Sequence, residues 1–173
     1  MLAVGTTVWL ASELMFFAGL FASYFTIRAS DPGWPGPDPK LATVRDAGFT
    51  LLLVASSFTL QWALRLLEGG RIQAAVRWLA LTLALGVLFM ANQGVEWATL
   101  PVRAGTSSYG SLFFIMTGFH GLHVVLGLVA MIGLLLQSRV GQLRPEPTEV
   151  VTYYWHFVDV VWLALFATLF FIR

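Results

Sequence analysis

The sequence contains no cysteine. That removes disulfides, thiolate metal sites and cysteine nucleophiles, and it leaves the redox compartment undetermined. Charge is almost as scarce. Of 173 residues only 10 are Lys or Arg and 9 are Asp or Glu, 11% together, where soluble domains carry about 25%. A soluble chain of this size needs a polar surface that so few charges cannot supply. A net charge of +1 gives a polyanion nothing to hold, so no nucleic-acid partner is expected. The opening segment lacks a basic start, and its apolar run is too long for a cleavable signal peptide, so it is read as a membrane segment.

What fills the space is apolar: 58% of the residues are hydrophobic, gathered into five runs. A transmembrane helix needs about 20 mostly apolar residues, and the runs at about 4–28, 47–67, 76–100, 107–138 and 150–172 each supply them. Between Arg28 and Arg45 lie Pro32, Pro35, Pro37 and Pro39 with Gly33 and Gly36, a density that excludes helix and strand and reads as an extramembrane loop. Glu68-Gly69-Gly70-Arg71 is a short polar turn with glycines past a helix end. Pro101 stops the third run, and Arg139 to Glu149, with Pro145 and Pro147, reads as a second polar turn. From Ala104 to Ser138 there is no Asp, Glu, Lys or Arg. The expected fold is all-α, one integral membrane bundle of five transmembrane helices over residues 1–173, since backbone bonds in lipid must close within each segment. Basic residues do not orient it. Arg65, Arg71, Arg77, Arg139 and Arg144 stand on the N-terminal side against Arg28, Lys40, Arg45, Arg103 and Arg173 on the other, five to five.

Within the apolar runs stand Glu13, Glu96, His120, His123, His156 and Asp159. An ionisable group in hydrocarbon is costly and is a functional-site hypothesis by default; the plain alternative is an interhelical hydrogen bond that holds the bundle. Glu96, four residues before Leu100, is expected near headgroup depth in a structural role. His156 and Asp159 are three apart on one helix face and are expected to pair locally. Glu13 and His120 are expected at matching depths on the first and fourth helices, to meet and act as a pair, with His123 the reserve partner. Haem or another metal is not expected. There are three histidines, two of them three apart on one helix, whereas a bis-histidine haem draws on opposing helices. No phosphate-cradling loop or nucleophile–base set is present, so no catalytic residue is assigned. Arg65, Arg71, Arg139 and Arg144 flank the two short turns and are candidate lipid-headgroup contacts, Arg139 foremost because it closes the fourth helix. Ala18 with Ala22, Gly19 with Ser23, and Gly118, Gly121, Gly127 and Gly133 are small residues of the kind that let membrane helices approach.

These runs resemble a known family. Ser12-Glu13-Leu14-Met15-Phe16-Phe17-Ala18-Gly19, Glu68-Gly69, Gln93 to Glu96, Tyr109-Gly110-Ser111, Thr117-Gly118-Phe119-His120-Gly121-Leu122-His123-Val124 and Tyr154-Trp155-His156-Phe157-Val158-Asp159-Val160-Val161-Trp162 fall in order along nearly the whole chain. They resemble the five-helix core of subunit III of haem–copper cytochrome c oxidases, in the short form of high-GC Gram-positive bacteria. The resemblance implies an accessory subunit without haem or copper of its own, those cofactors lying in partner subunits. It implies packing on subunit I and other oxidase subunits, bound phospholipid, support of proton uptake and of lasting activity, and a place in the bacterial plasma membrane. It leaves open a larger respiratory supercomplex. Larger members split seven helices into two and five around a lipid-filled cleft; this chain departs from them in lacking the two-helix arm. The family topology puts the N-terminus and both short turns on the cytoplasmic side, with the Pro-rich loop and C-terminus outside. Two other readings stand beside it: the related subunit of quinol oxidases or nitric oxide reductases, and, from another class, a small proton-coupled transporter. A transporter would show broken helices or paired repeats, and the sequence shows neither.

Overall fold

The computed structural model describes residues 2–35, 43–100, 104–105 and 107–172. Pro37, Pro39 and Lys40 of the Pro-rich loop, and Pro101, Arg103 and Arg173, lie outside the described residues. Five helices form: α1 (Leu2–Ser30), α2 (Thr43–Glu68), α3 (Ile72–Thr99), α4 (Ser108–Arg139) and α5 (Pro145–Phe166), the last continuing as a π-helical turn, Ala167–Ile172. All five are long and apolar enough to cross a membrane. Helices α2, α3, α4 and α5 pack each against the next and close a four-helix ring, while α1 lies outside it in the groove of α4 and α5. The chain is an all-α membrane bundle.

Every helix runs past its apolar run. α3 begins at Ile72 rather than near 76, and α5 at Pro145 rather than near 150. Hydropathy marks the edge of the hydrocarbon, but helical hydrogen bonds continue into the headgroup zone where polar side chains are free to stay wet. Pro145 and Pro147 do not break α5, because Pro145 takes the first helical position, where the missing N–H has no partner to lose. The Pro-rich loop shortens in the same way: α1 reaches Ser30, where Asp31 Oδ1 accepts from the Gly33 amide at 2.9 Å and turns the chain.

Both short turns close by one device. Gly70 (φ +73) and Gly141 (φ +70) adopt the left-handed conformation that side chains resist. After α2, Arg71 N–H donates to Leu66 C=O at 2.9 Å and Gly70 N–H to Leu67 C=O at 3.0 Å. After α4, Gln142 donates to Gln137 at 2.9 Å and Gly141 to Ser138 at 3.3 Å. These paired bonds satisfy the last helical carbonyls. Leu143 of the second turn packs on Leu66, Leu67 and Ala75 of the first, so the two turns share one end of the bundle, the turn end. At the other, the loop end, Tyr24 of α1 and Tyr109 of α4 donate to Thr168 and Leu169 carbonyls in the π-helical turn at 3.4 and 3.0 Å. Trp34 packs edge-on to both tyrosines, at 5.0 and 5.3 Å between ring centres.

The centre of the ring is Trp155. It is fully buried, and its Nε1 donates to Ser56 Oγ of α2 at 2.8 Å. Its ring lies against Gly86 of α3 and Gly127 of α4. A Cβ on Gly127 would stand 2.7 Å from two atoms of the indole, and one on Gly86 would stand 2.7 Å from Leu128 and 3.0 Å from Trp155. The small residues of α4 are therefore unequal. Gly118 and Gly121 have room for a methyl group at 3.7 and 3.6 Å, and Gly133 has nothing within 4 Å. Gly127→Ala should destabilise the bundle by about 1–3 kcal/mol through overpacking, while Gly133→Ala should be neutral or better. Unfolding in mixed micelles by a denaturing detergent reads both, and equal stability of the two variants contradicts the assignment.

Candidate functional site

The polar groups of the apolar spans sort into four contacts. Glu13 of α1 meets His123 of α4, Oε2 to Nε2, at 3.0 Å. It does not meet His120. The two histidines are three residues apart, about 60° short of a full turn; His123 turns to α1, and His120 points into the ring against Trp162 and Phe89. His123 Nδ1 stands 2.7 Å from the Phe119 carbonyl oxygen. A carbonyl can only accept, so Nδ1 carries a hydrogen. The 3.0 Å contact to Glu13 then shares a single proton, held either as carboxyl O–H donating to Nε2 or as imidazolium donating to carboxylate. In both forms the pair is neutral overall, which is how an acid and a base coexist in hydrocarbon at tolerable cost. Phe17 lies edge-on to the imidazole at 5.1 Å, and Tyr154 hydroxyl donates to the His123 carbonyl at 2.9 Å, tying α5 to the same point.

Grooves flank this pair. One, of about 440 Å³, opens between α1 and α5 and is lined by Thr6, Leu10, Ala11, Leu14, Tyr153 and Phe157. A second, of about 270 Å³, is lined by Trp9, Leu126, Ala130 and Tyr154 among others. Trp9 stacks on Tyr154 at 5.1 Å. The walls are almost wholly apolar, as an acyl chain requires.

His156 and Asp159 do not pair with each other. His156 Nε2 lies 3.3 Å from Gln61 Oε1, and the Ser57 hydroxyl donates to Asp159 Oδ2. Both partners belong to α2, because residues three apart on α5 project along one face and that face is turned to the neighbouring helix. Trp162 Nε1 adds a bond to Thr50 Oγ1 at 2.9 Å, so α2 and α5 are joined by a ladder of side-chain bonds through the apolar depth. Glu96, near the end of α3, is buried against α2. Arg45 donates to it, and Arg45 Nε also lies 3.6 Å from Asp46 Oδ1, which accepts from Asn92 at 3.1 Å. The α2–α3 contact buries the carboxylate because Arg45 arrives with it. Sequence reading missed Ser57, Gln61, Asp46, Asn92 and Tyr154 as partners. The hydroxyl and amide residues inside the second run were a signal, but the register that aligns them with α5 is not in the sequence.

Arg65, Arg71, Arg139 and Arg144 are all exposed at the turn end. Among the described residues no three His, Asp or Glu side chains converge as a metal-binding group.

Comparison with known proteins agrees with this architecture. The family model described as cytochrome c oxidase subunit III matches residues 1–173. The chain is 49% identical to a probable cytochrome c oxidase subunit 3 of Nocardia farcinica over 181 residues, covering 100% of this chain and 89% of the relative. It is 48% identical to the probable subunit 3 of Mycobacterium leprae, with 100% and 89% covered. It is 32% identical to the subunit 3 of Thermostichus vulcanus, with 96% and 85% covered. With its five membrane-spanning helices and this match along its whole length, the chain belongs to the cytochrome c oxidase subunit III family.

Proposed function

We propose that the chain is the non-catalytic third subunit of a bacterial respiratory cytochrome c oxidase, packed against the haem- and copper-bearing subunit I in the plasma membrane. In this reading it binds phospholipid, sustains proton uptake by its partner and prolongs the active life of the enzyme, itself holding neither haem nor copper. The observation that carries the reading is the Glu13–His123 pair: a proton-sharing acid and base at mid-helix depth, beside an apolar groove suited to acyl chains. Such a pair orders the lipid-facing groove and tunes the proton supply to subunit I without itself carrying pumped protons. The family topology gives the N-terminus and the turn end to the cytoplasmic side and the C-terminus to the outside. The turn-end arginines then face the leaflet where anionic headgroups concentrate.

The pair is tested by two substitutions. Glu13→Gln can donate its amide N–H to His123 Nε2 and keep the bond, whereas Glu13→Ala loses an interhelical contact worth about 1–2 kcal/mol. Both variants should assemble into the oxidase, the Gln variant at wild-type level, yet both should lose activity faster than wild type during sustained turnover. If Gln holds activity as long as wild type and Ala does not, the pair is only a structural bond; if both hold it, Glu13 has no part in either role.

Headgroup binding is tested by lipid mass spectrometry of the purified complex. Arg139→Ala should lower retained anionic phospholipid by roughly fivefold, the equivalent of about 1 kcal/mol per basic side chain. Joint substitution of Arg65, Arg71, Arg139 and Arg144 should lower it further. Unchanged lipid in the quadruple variant excludes the turn end as a headgroup site. Purification in mild detergent decides the assembly: the chain is expected with subunit I and the other oxidase subunits, and any larger respiratory supercomplex would be recovered in the same step. Recovery of the chain alone, with oxidase activity intact after its deletion, refutes the reading.

A further inference from the structure

Six buried polar side-chain atoms have no hydrogen-bond partner among the described residues, and four of them are Arg45 Nε, Asp46 Oδ2 and both ring nitrogens of His120. His120 is 1% exposed. It lies face to face with Trp162, ring centres 4.8 Å apart, and edge-on to Phe89 at 6.2 Å. Each of these neighbours leads to Asp46. Trp162 donates to Thr50 Oγ1 at 2.9 Å, and Thr50 donates to the Asp46 carbonyl at 2.8 Å. Along α3, Asn92 follows Phe89 by nearly one turn and donates to Asp46 Oδ1 at 3.1 Å. His120 is thus joined through Trp162 to Thr50, one turn along α2 from Asp46, whose carboxyl meets α3 at Asn92.

We propose that ordered water occupies the layer of the interior between these residues, bound by the ring nitrogens of His120 and by Asp46 Oδ2, and makes it a hydrated site inside the membrane bundle. A neutral imidazole brings one donor and one acceptor, and a free carboxylate oxygen only accepts. Water is the ligand that serves both, and interior water characteristically settles on buried polar groups left otherwise unpaired. A metal cation does not suit the layer, since the Arg45 guanidinium already pairs with Glu96 and stands 3.6 Å from Asp46. An anion is excluded by the same two carboxylates.

The test rests on a sign. His120→Phe keeps the bulk of the ring and removes both nitrogens. In a hydrated site it takes away the partner of that water and leaves Asp46 Oδ2 to hold it alone, and the assembled oxidase should lose this chain in detergent several-fold faster than wild type. His120→Gln can hold the same water and should stay within about twofold of wild type. In a dry site the order reverses, because Phe removes two unmade hydrogen bonds; retention of the Phe variant equal to or longer than wild type overturns the proposal. A high-resolution cryo-EM map of the wild-type complex decides it even where the Phe variant does not assemble. A water peak within about 3.2 Å of a His120 ring nitrogen is expected. An empty apolar void, a metal ion, or direct protein partners on both nitrogens would overturn it.

Discussion

The four-helix ring depends on a single indole seated between two glycines. Trp155 needs the flat backbone of Gly86 on one side and of Gly127 on the other, and it anchors its nitrogen on Ser56 of the remaining helix. In lipid the hydrophobic effect does not draw helices together, so close van der Waals fit and a few polar bonds must do so. One side chain here supplies the close fit to α3 and α4 and the polar bond to α2. The other bonds of the α2–α5 ladder, from Thr50 and Trp162 to Gln61 and His156, have meaning only once Trp155 has fixed the spacing and register of those two helices.

Outside the ring, α1 is held differently. Most of its surface is exposed, with Phe17 and Tyr24 its buried aromatic anchors. Its polar links include Glu13, halfway along, and Tyr24, near the loop end, and Trp9 stacks on Tyr154 nearer the turn end. Between those points and the turn end the grooves open. A helix held at separate points along its length and flanked by grooves between them provides a lipid-facing margin for the bundle while the ring behind it stays closed.

Much of this was legible beforehand. The five spans, the glycine turn at Gly69 and Gly70 and the isolation of Glu13 in an apolar run follow from composition and spacing, because the bilayer leaves so few choices. Helix ends were misjudged wherever a polar side chain could stay wet on a continuing helix, as at Gln73 and Glu146. The choice between His120 and His123 was not legible, since it turns on the rotation of α4 about its axis, and periodicity in a helix apolar nearly all round does not reveal that rotation. The partners of His156, Asp159 and Glu96 were out of reach for a related reason. They come from α2 and α3, and which helices neighbour one another in the membrane plane is a property of packing, not of any one segment. The widening to a π-helical turn at Ala167 left no mark in the sequence either.

The position of Trp155 also bears on how such a chain is made. Synthesis delivers helices in order, and the residue that closes the ring is on the fifth. Until α5 enters the membrane, Gly86 and Gly127 face nothing that fits them, and Ser57 and Thr50 hydroxyls lack their α5 partners. The close fit at Gly86 and Gly127 and the side-chain bonds from α2 therefore form only when α5 joins the first four helices.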